Sequence, residues 1–318
     1  MKNIKVLTVL SILSLLLIES CSSVAKIPVT RPAEINLTGI KRVAIGNIEG
    51  DTGLVLSDLL SQKLFESGHY EVLDRQNINA LLREHNLNLK GAINKQTSIK
   101  LGGLLGASAL IFGKSNGQYR QINKVGDPYN CSKNGRVCRT YTKTGEGRVN
   151  ATLRVVDLQT GKIIAIKSYA GEDSDSVLVV NGWPSNPDET GIIYKILNTI
   201  ANKFMKMVAP YTEYVSVKFE NSNTPGVEAG IIAAQAGQWD SASVQFKNAV
   251  NTNPNDAAAW FNLGLAYMYT NQFDDSIQAL NKSNGLNPSS KSVQEISNCK
   301  RLKADRKKLS GQMGNHSN

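Results

Sequence analysis

A spacing of 34 residues, repeated in the last third of the chain, restricts the possible folds more than any other feature of the sequence. Pro254 and Pro288 stand 34 residues apart, and small and large apolar residues precede each proline at matching distances. Small residues at fixed intervals let two helices approach closely, so the period predicts stacked pairs of helices. The residues that carry the pattern are Ala229, Gly230, Trp239, Ala242, Pro254, Trp260, Leu263, Gly264, Tyr267 and Pro288.

The pattern resembles that of the tetratricopeptide repeat. The resemblance implies an all-α repeat domain over residues 223–308, with two repeats and a capping helix, followed by a disordered tail over residues 309–318. Such repeats bind a peptide or a partner helix in a groove. We therefore expect envelope or exported proteins as partners, and we take Asn262 and Tyr269 as candidate groove residues.

The beginning of the chain has the order of residues that is typical of an export signal. Lys2 and Lys5 come first, an apolar run from Val6 to Ile18 follows, and Cys21 ends the segment. An apolar run of this length is short for a membrane span, which needs roughly 20 residues. We predict a signal peptide over residues 1–20, and an ordinary secretory signal or an uncleaved anchor stays open as the alternative.

The segment IESC, which ends at Cys21, resembles a lipobox, although Glu19 stands where the pattern prefers a small residue. The resemblance implies that Cys21 carries lipid, and Ser22 resembles the outer-membrane sorting signal of such lipoproteins. The expected location is the outer membrane, with the protein lipid-anchored and facing the periplasm. Residues 21–36 contain two prolines and are predicted to form a polar linker.

The formal net charge of +10 and a cluster of lysines and arginines near the end of the chain bear on the partners. A basic cluster suits anionic lipid, acidic groups associated with peptidoglycan, or nucleic acid. Export makes nucleic acid the poorest fit, so we expect no nucleic-acid partner. A solvated helix face is the plain alternative for this cluster.

Two cysteines, Cys131 and Cys138, lie seven residues apart in the loop YNCSKNGRVC. In an oxidising compartment this spacing favours a disulfide. Metal binding is the rival interpretation, but no histidine stands near, and two thiols do not complete a zinc site. Cys299 is left unpaired in this scheme.

Between the linker and the repeats, β-branched alternation and helical spacing follow each other along the chain. Strands are predicted at residues 41–48, 109–113, 148–156 and 162–170, and helices at residues 76–87 and 191–208. Strands that alternate with helices in this way favour an α/β (α+β) fold with a mixed sheet. We assign this domain to residues 37–220.

Three segments of this domain, EVLDRQNINALLRE, GASALIFG and NATLRVVDLQTGKII, resemble the curli secretion channel family of CsgG-like lipoproteins. That family forms rings in the outer membrane, and each subunit donates amphipathic β-hairpins to a shared channel. The resemblance therefore implies a homo-oligomer and a mixed α/β fold.

Two insertions are the places where such hairpins belong. Residues 115–148 are polar on both faces, and residues 173–190 offer only Val177–Val180 before GWPSNP. Neither pattern predicts lipid-facing strands of about ten residues. We therefore expect a periplasm-facing scaffold or accessory factor in the assembly or export of surface structures. An oligomeric outer-membrane secretion-channel subunit for a fibre or adhesin is the alternative.

No motif of the chain points to catalysis. The sequence has no GxSxG or HExxH pattern, and its three histidines are isolated from one another. FGKS at residues 112–115 lacks the first glycine of a phosphate-binding loop. The sequence predicts a protein that is not an enzyme, with no catalytic residue, no metal site and no cofactor.

Overall fold

A computed structural model describes residues 24–35, 37, 39–73 and 95–313. The described chain divides into two compact units. The repeat unit contains residues 24–31 and 212–310, and the α/β unit contains residues 32–211 together with 311–313. The α/β unit is therefore inserted in sequence between the first strand of the repeat unit and the rest of that unit.

Both strands and helices occur in the described part of the chain. In chain order, the strands are β1 (Val24–Arg31), β2 (Arg42–Glu49), β3 (Glu71–Leu73), β4 (Ala109–Val125), β5 (Tyr129–Asn130), β6 (Val137–Cys138), β7 (Thr140–Asp157), β8 (Ile163–Val180) and β9 (Tyr211–Lys218). The helices are α1 (Gly53–Glu66), α2 (Lys95–Leu105), α3 (Glu189–Val208), α4 (Val227–Gln235), α5 (Trp239–Thr252), α6 (Ala257–Tyr269), α7 (Phe273–Leu286) and α8 (Ser290–Met313).

The α/β unit has a five-stranded mixed sheet in the order β3-β2-β4-β7-β8. β2 runs parallel to β3 and β4, whereas β4, β7 and β8 are antiparallel. Helices α1 and α3 bury their apolar residues on one face of the sheet, and Leu101 of α2 packs on the other face with Leu110 and Val156. The prediction of a mixed-sheet α/β fold is confirmed.

Helix α3 lies directly against the sheet. Asp188 caps it by accepting a 3.0 Å hydrogen bond from the Gly191 N–H, and the apolar face that follows includes the fully buried Phe204. A Cβ at Gly147 would lie 2.6 Å from the Ile192 Cγ2 atom, so the helix requires a glycine on the strand beneath it. This contact extends the packed core along the middle of β7.

β4, β7 and β8 continue far beyond the segments that were predicted as strands. They are 17, 18 and 18 residues long. Their antiparallel register is unbroken from Lys114↔Thr152 to Val125↔Tyr141. Long strands therefore run into residues 115–148 and 173–190, where the sequence predicted no lipid-facing strands, because backbone pairing extends the sheet where the sequence shows no apolar alternation. We call residues 114–125, 140–152 and 168–180 the sheet extension.

The repeat unit contains the five packed helices α4 to α8, and the prediction of an all-α repeat domain after the mixed sheet is confirmed for these helices. It also contains the two-stranded sheet of β1 and β9. Residues 24–31 are therefore a strand rather than part of a linker, which corrects the expectation for residues 21–36. Alternate side chains of β1 are buried, and the backbone of β1 pairs with that of β9.

Other boundaries also differ from the sequence-based expectations. The α/β unit ends at Tyr211 rather than at residue 220, because β9 packs with the repeat helices. Helix α8 continues to Met313, so residues 309–313 are not a disordered tail. The predicted helix at 76–87, the signal peptide and Cys21 lie outside the described residues.

Candidate functional site

The repeat signature residues lie where the helices of the repeat unit approach each other. A Cβ at Gly230 would lie 2.5 Å from the Phe246 ring, and one at Gly264 would lie 2.6 Å from the Leu280 Cγ atom. The Trp260 indole N–H donates a 2.9 Å hydrogen bond to the carbonyl of Pro254. These residues therefore fix the packing of the helix pairs.

The strands β1 and β9 cover the apolar side of these helices. In β1, Ala25, Ile27 and Val29 are buried, and they belong to the same apolar cluster as Val217 of β9. Phe219, one residue beyond β9, is only 6% exposed. The chain therefore covers this side of the repeat helices with its own extended segments.

Asn262 shows most clearly how this surface is occupied. It is fully buried, its carboxamide oxygen accepts a 3.0 Å hydrogen bond from the Glu220 N–H, and its Nδ2 donates 2.7 Å to the Glu220 carbonyl. Both halves of the carboxamide are thus used by the backbone of one residue. Asn262 is not an open groove residue, which corrects the expectation from the sequence.

Tyr269, the second candidate groove residue, belongs to an aromatic group. Its ring lies 4.9 Å from that of Trp239, and the Trp239 ring lies 6.1 Å from that of Phe219. Burial raises the pKa of Tyr269 above its usual value. Tyr269 therefore belongs to the packing around Trp239 and Phe219 rather than to an empty groove.

An ion-pair cluster around the buried Arg31 joins three elements of the repeat unit. The Arg31 Nε lies 2.7 Å from Glu213 of β9, and its Nη1 lies 2.8 Å from Asp305 of α8, while the Arg31 side chain is 8% exposed. Burial would lower the pKa of Arg31, but the hydrogen bonds to both carboxylates outweigh it and raise the pKa. The sequence-based prediction placed Arg31 in the linker over residues 21–36 and therefore did not identify this cluster.

The segment after Lys218 is held by further polar contacts. Asp256 caps α6 by accepting hydrogen bonds from the Ala258 and Ala259 N–H groups, and the Ser222 hydroxyl donates to its other oxygen. Partial burial opposes ionisation, but these hydrogen bonds lower the pKa of Asp256. Lys291 also pairs with Glu220 at 2.5 Å. Residues 220–222 are therefore anchored by side chains from α6 and α8.

The sheet extension of the α/β unit has the opposite character. On one face, Arg120 Nη2 lies 2.5 Å from Glu146 Oε2, and Arg148 Nε lies 3.3 Å from Glu172 Oε1. The hydroxyls of Thr144 and Ser176 are 2.8 Å apart on the same face. This face is a solvent-exposed ladder of polar and charged pairs across β4, β7 and β8.

The two cysteines that were predicted to form a disulfide lie at the far end of the extension. Cys131 and Cys138 are joined by a disulfide, with 5.7 Å between their Cα atoms. The Asn181 Oδ1 accepts a 2.8 Å hydrogen bond from the Arg139 N–H, and the Trp183 ring lies 5.1 Å from that of Tyr141. The end of the extension is thus closed by local contacts, while Trp183 remains 72% exposed.

An open pocket of about 350 Å³ lies beside the first turns of α1 and α3. Asp51, Gln118, Tyr119 and Glu189 line it, and the Asp51 carboxylate accepts a 2.8 Å hydrogen bond from the Gly117 N–H. In the described parts of the chain, no group of three or more His, Cys, Asp or Glu side chains is placed to hold a metal ion. None of the described helices combines the length and the apolar character that crossing a bilayer requires.

Comparisons with solved structures give partial similarity. The LpoB C-terminal domain from Salmonella enterica is 13% identical and aligns over 42% of this chain and 84% of its own, with a TM-score of 0.26. For the PelC dodecamer from Paraburkholderia phytofirmans, the values are 14%, 56%, 94% and 0.28. For lipoprotein GNA1162 from Neisseria meningitidis, they are 13%, 53%, 99% and 0.30.

The sequence itself matches two family models. No curated protein matches the sequence. Residues 32–183 match the family of the curli production assembly/transport component CsgG, and residues 230–270 match the TPR repeat. The chain therefore carries a CsgG-family domain over residues 32–183, followed by a tetratricopeptide repeat region over residues 230–270.

Proposed function

We propose that this protein is a lipid-anchored envelope scaffold, facing the periplasm, whose copies join through the sheet extension during the assembly or export of surface structures. Lipid on Cys21 supplies the anchor, the CsgG-family domain supplies the self-assembly, and the repeat unit supplies contacts with envelope or exported proteins. The two open edges of the sheet extension carry this proposal.

Both outer strands of the extension have an edge that no described strand covers. β2 pairs with β4 only as far as Lys114, and the Asp51 carboxylate accepts a hydrogen bond from the Gly117 N–H. From Gln118 to Val125, β4 pairs only with β7, and β8 pairs only with β7 along its whole length. An uncovered edge of this length is a template for another strand.

The two edges carry opposite charges. From Gln118 to Val125, both charged residues of β4 are basic, whereas from Ser168 to Val180 those of β8 are all acidic. The register aligns Arg120 with Glu146 and Glu146 with Ser174, so Arg120 is level with the acidic stretch of β8. The residues concerned are Arg120, Lys124, Glu172, Asp173 and Asp175.

Opposite charges at one level suit contact between β8 of one copy and β4 of the next. Such an interface uses two different surfaces of the subunit, so it propagates until a ring closes or a filament grows. Backbone pairing would supply the attraction, and the charges would set the register and disfavour pairing of like edges.

A charge exchange tests this interface. Arg120→Glu places a carboxylate at the level of the acidic stretch of β8, and Glu172→Arg places a guanidinium in that stretch, opposite the basic residues of β4. Like charges then meet between residues 120 and 172 of neighbouring copies, so each variant alone is expected to sediment as a monomer. An equimolar mixture restores opposite charges at every contact and is expected to regain the mass of the wild-type assembly. Analytical ultracentrifugation of the detergent-extracted protein measures all three samples.

Lys247→Glu is the matched control, because it makes the same change of sign on the exposed surface of α5. It is expected to keep the wild-type mass. Wild-type protein that sediments as a monomer, or single variants that assemble normally, would refute the proposed interface.

The anchor needs a separate test. Cys21→Ala is expected to move the exported protein from the membrane fraction to the soluble periplasmic fraction, since the thiol that carries the lipid is gone. Membrane recovery that is the same with and without Cys21 would refute lipid anchoring.

A second candidate is an oligomeric secretion-channel subunit for a fibre or adhesin. The strands β4, β7 and β8 are 17 to 18 residues long, which favours this candidate, because the sequence alone predicted no strands long enough for a channel hairpin. The exposed ion pairs across the extension favour the scaffold, because that face would be costly to place in lipid. Stable conductance of the purified assembly in planar bilayers would establish the channel, and a non-conducting assembly would support the scaffold.

A further inference from the structure

We infer that the lipid on Cys21 holds the repeat unit itself against the membrane, with the C-terminal end of α4 facing the lipid headgroups. The inference rests on the proposed lipid anchor and adds to it the surface that meets the bilayer. It follows from the position of β1, which the sequence had placed in a linker.

The strand β1 is fixed within the repeat unit from its first residues. Ala25 and Ile27 are 5% and 7% exposed, and both pack in the apolar cluster of the repeat helices. The Val24 carbonyl accepts a 3.3 Å hydrogen bond from Nε2 of Gln235, at the end of α4. The place where the chain enters the repeat unit is therefore defined.

The length of chain before this point limits the distance to the membrane. Val24 is three residues after Cys21. Three extended residues span at most about 11 Å, so an acylated Cys21 keeps the beginning of β1 within that distance of the lipid. A flexible linker over residues 21–36 would have left the repeat unit free, but eight of those residues form β1.

The surface beside Val24 suits contact with headgroups. Residues 231–238 contain no charged side chain, and Ile232 is 60% exposed. Lys26 points away from the repeat helices and is exposed. The segment 231–238 brings no carboxylate of its own, and the exposed Ile232 and Lys26 suit contact with lipid headgroups.

The other end of β1 provides the reference point. Arg31 is seven residues beyond Val24, which corresponds to about 23 Å along a strand. Arg31 binds Asp305, so the neighbouring Ala304 of α8 lies at this far end of β1 and is exposed. The inference predicts that the two ends of β1 differ in their distance from the bilayer.

Fluorescence quenching by lipid-attached nitroxide tests this difference in the full lipidated chain. Ala236→Cys and Ala304→Cys each receive the same fluorophore. The vesicles contain the zwitterionic lipids phosphatidylcholine and phosphatidylethanolamine with headgroup-labelled nitroxide lipid, so that charge does not draw the basic residues around Ala304 to the bilayer. Quenching is expected to be several-fold stronger at position 236. Cys299 is buried, and Cys131 and Cys138 are joined, so labelling is directed to the new thiol.

A linker insertion completes the experiment. Twenty Gly/Ser residues placed between Ser23 and Val24 add a flexible tether with a span of about 25 Å, and quenching at position 236 should then fall to the level at position 304. If membrane recovery depends on Cys21 but quenching is equal at both positions without the insertion, the anchor stands and the proposed orientation of the repeat unit is overturned. Loss of that dependence would instead overturn the anchor.

Discussion

The repeat unit and the sheet extension use extended chain in opposite ways. In the repeat unit, β1 and β9 lie on the helices. Asn262 binds the backbone of Glu220, two residues beyond β9, and Arg31 of β1 pairs with Glu213 and Asp305. In the extension, β4 and β8 leave one edge each without a described partner strand. Extended chain that buries alternate side chains on helices stabilises the fold, whereas long strands with exposed side chains and an uncovered edge are available to another copy.

This comparison predicts that changes at the β1–β9 side of the repeat helices lower stability, while changes in the extension alter assembly. The tryptophans separate the two readouts, because Trp239 and Trp260 lie in the repeat unit and Trp183 lies in the α/β unit. In a Trp183→Phe background, denaturant unfolding followed by tryptophan fluorescence reports on the repeat unit alone.

The largest effect is expected for Phe219→Ala. Phe219 is buried, with its ring 6.1 Å from Trp239 and 6.4 Å from Phe246, so the substitution leaves a cavity among these rings. The free energy of unfolding of the repeat unit should fall by about 3–5 kcal/mol. Tyr214→Ala on β9 is the control, since Tyr214 is 75% exposed and its removal should cost less than about 0.5 kcal/mol. Equal effects of both variants would contradict the packing described for this region.

The next largest effect is expected for Asp305→Ala. It leaves the buried Arg31 guanidinium with one carboxylate instead of two, and the loss of a hydrogen bond between charged groups costs about 2–3 kcal/mol. Lys303→Ala on the same helix removes an exposed pair with Asp274 and should cost at most about 0.5 kcal/mol. A denaturation midpoint that Asp305→Ala leaves unchanged would show that Arg31 does not depend on this contact.

A smaller loss is expected for Asn262→Ala. The substitution leaves the N–H and carbonyl of Glu220 without their side-chain partner, at a cost of about 2 kcal/mol. Asn248→Ala, at an exposed position of α5, is the control and should be nearly neutral. Unchanged stability of the Asn262 variant would instead favour an open groove and break the comparison.

The smallest effect is expected from acid, through Asp256. Because the folded repeat unit lowers the pKa of this carboxyl, its ionised form stabilises the fold above the unfolded pKa of about 3.9. That contribution is lost as the pH falls through the lower folded pKa. Asp256→Ala should lower the free energy of unfolding by about 1 kcal/mol at pH 7. The difference in unfolding free energy between the variant and the wild type should shrink below about pH 4, as measured by denaturation at neutral and at acid pH. A difference that stays constant with pH would exclude Asp256 as the titrating group.

The repeats were readable from the sequence because their helix contacts are local. Gly230 and Gly264 stand where side chains of Phe246 and Leu280 fill the space, and these pairs are 16 residues apart in both repeats. The mixed sheet was likewise indicated by apolar strands such as β2, whose buried residues follow one another in the sequence. Contacts of this kind leave a periodic pattern.

The candidate site was less predictable. Asn262 was identified as part of the repeat groove, but its partner Glu220 lies 42 residues earlier in the chain. Arg31 and Glu213 are separated by 182 residues. No local pattern records such contacts, so the sequence indicated neither the covering of the repeat helices nor the ion-pair cluster that holds β1 in place.

By itself, the sequence determined the helix pairs, the mixed sheet and their order, because periodic apolar residues encode local packing. Only the tertiary structure decided that β1 belongs to the repeat unit and that β4, β7 and β8 extend to 17 or 18 residues. Both features depend on backbone pairing between distant segments. Backbone groups are the same in every residue, so their pairing leaves little trace in the side chains.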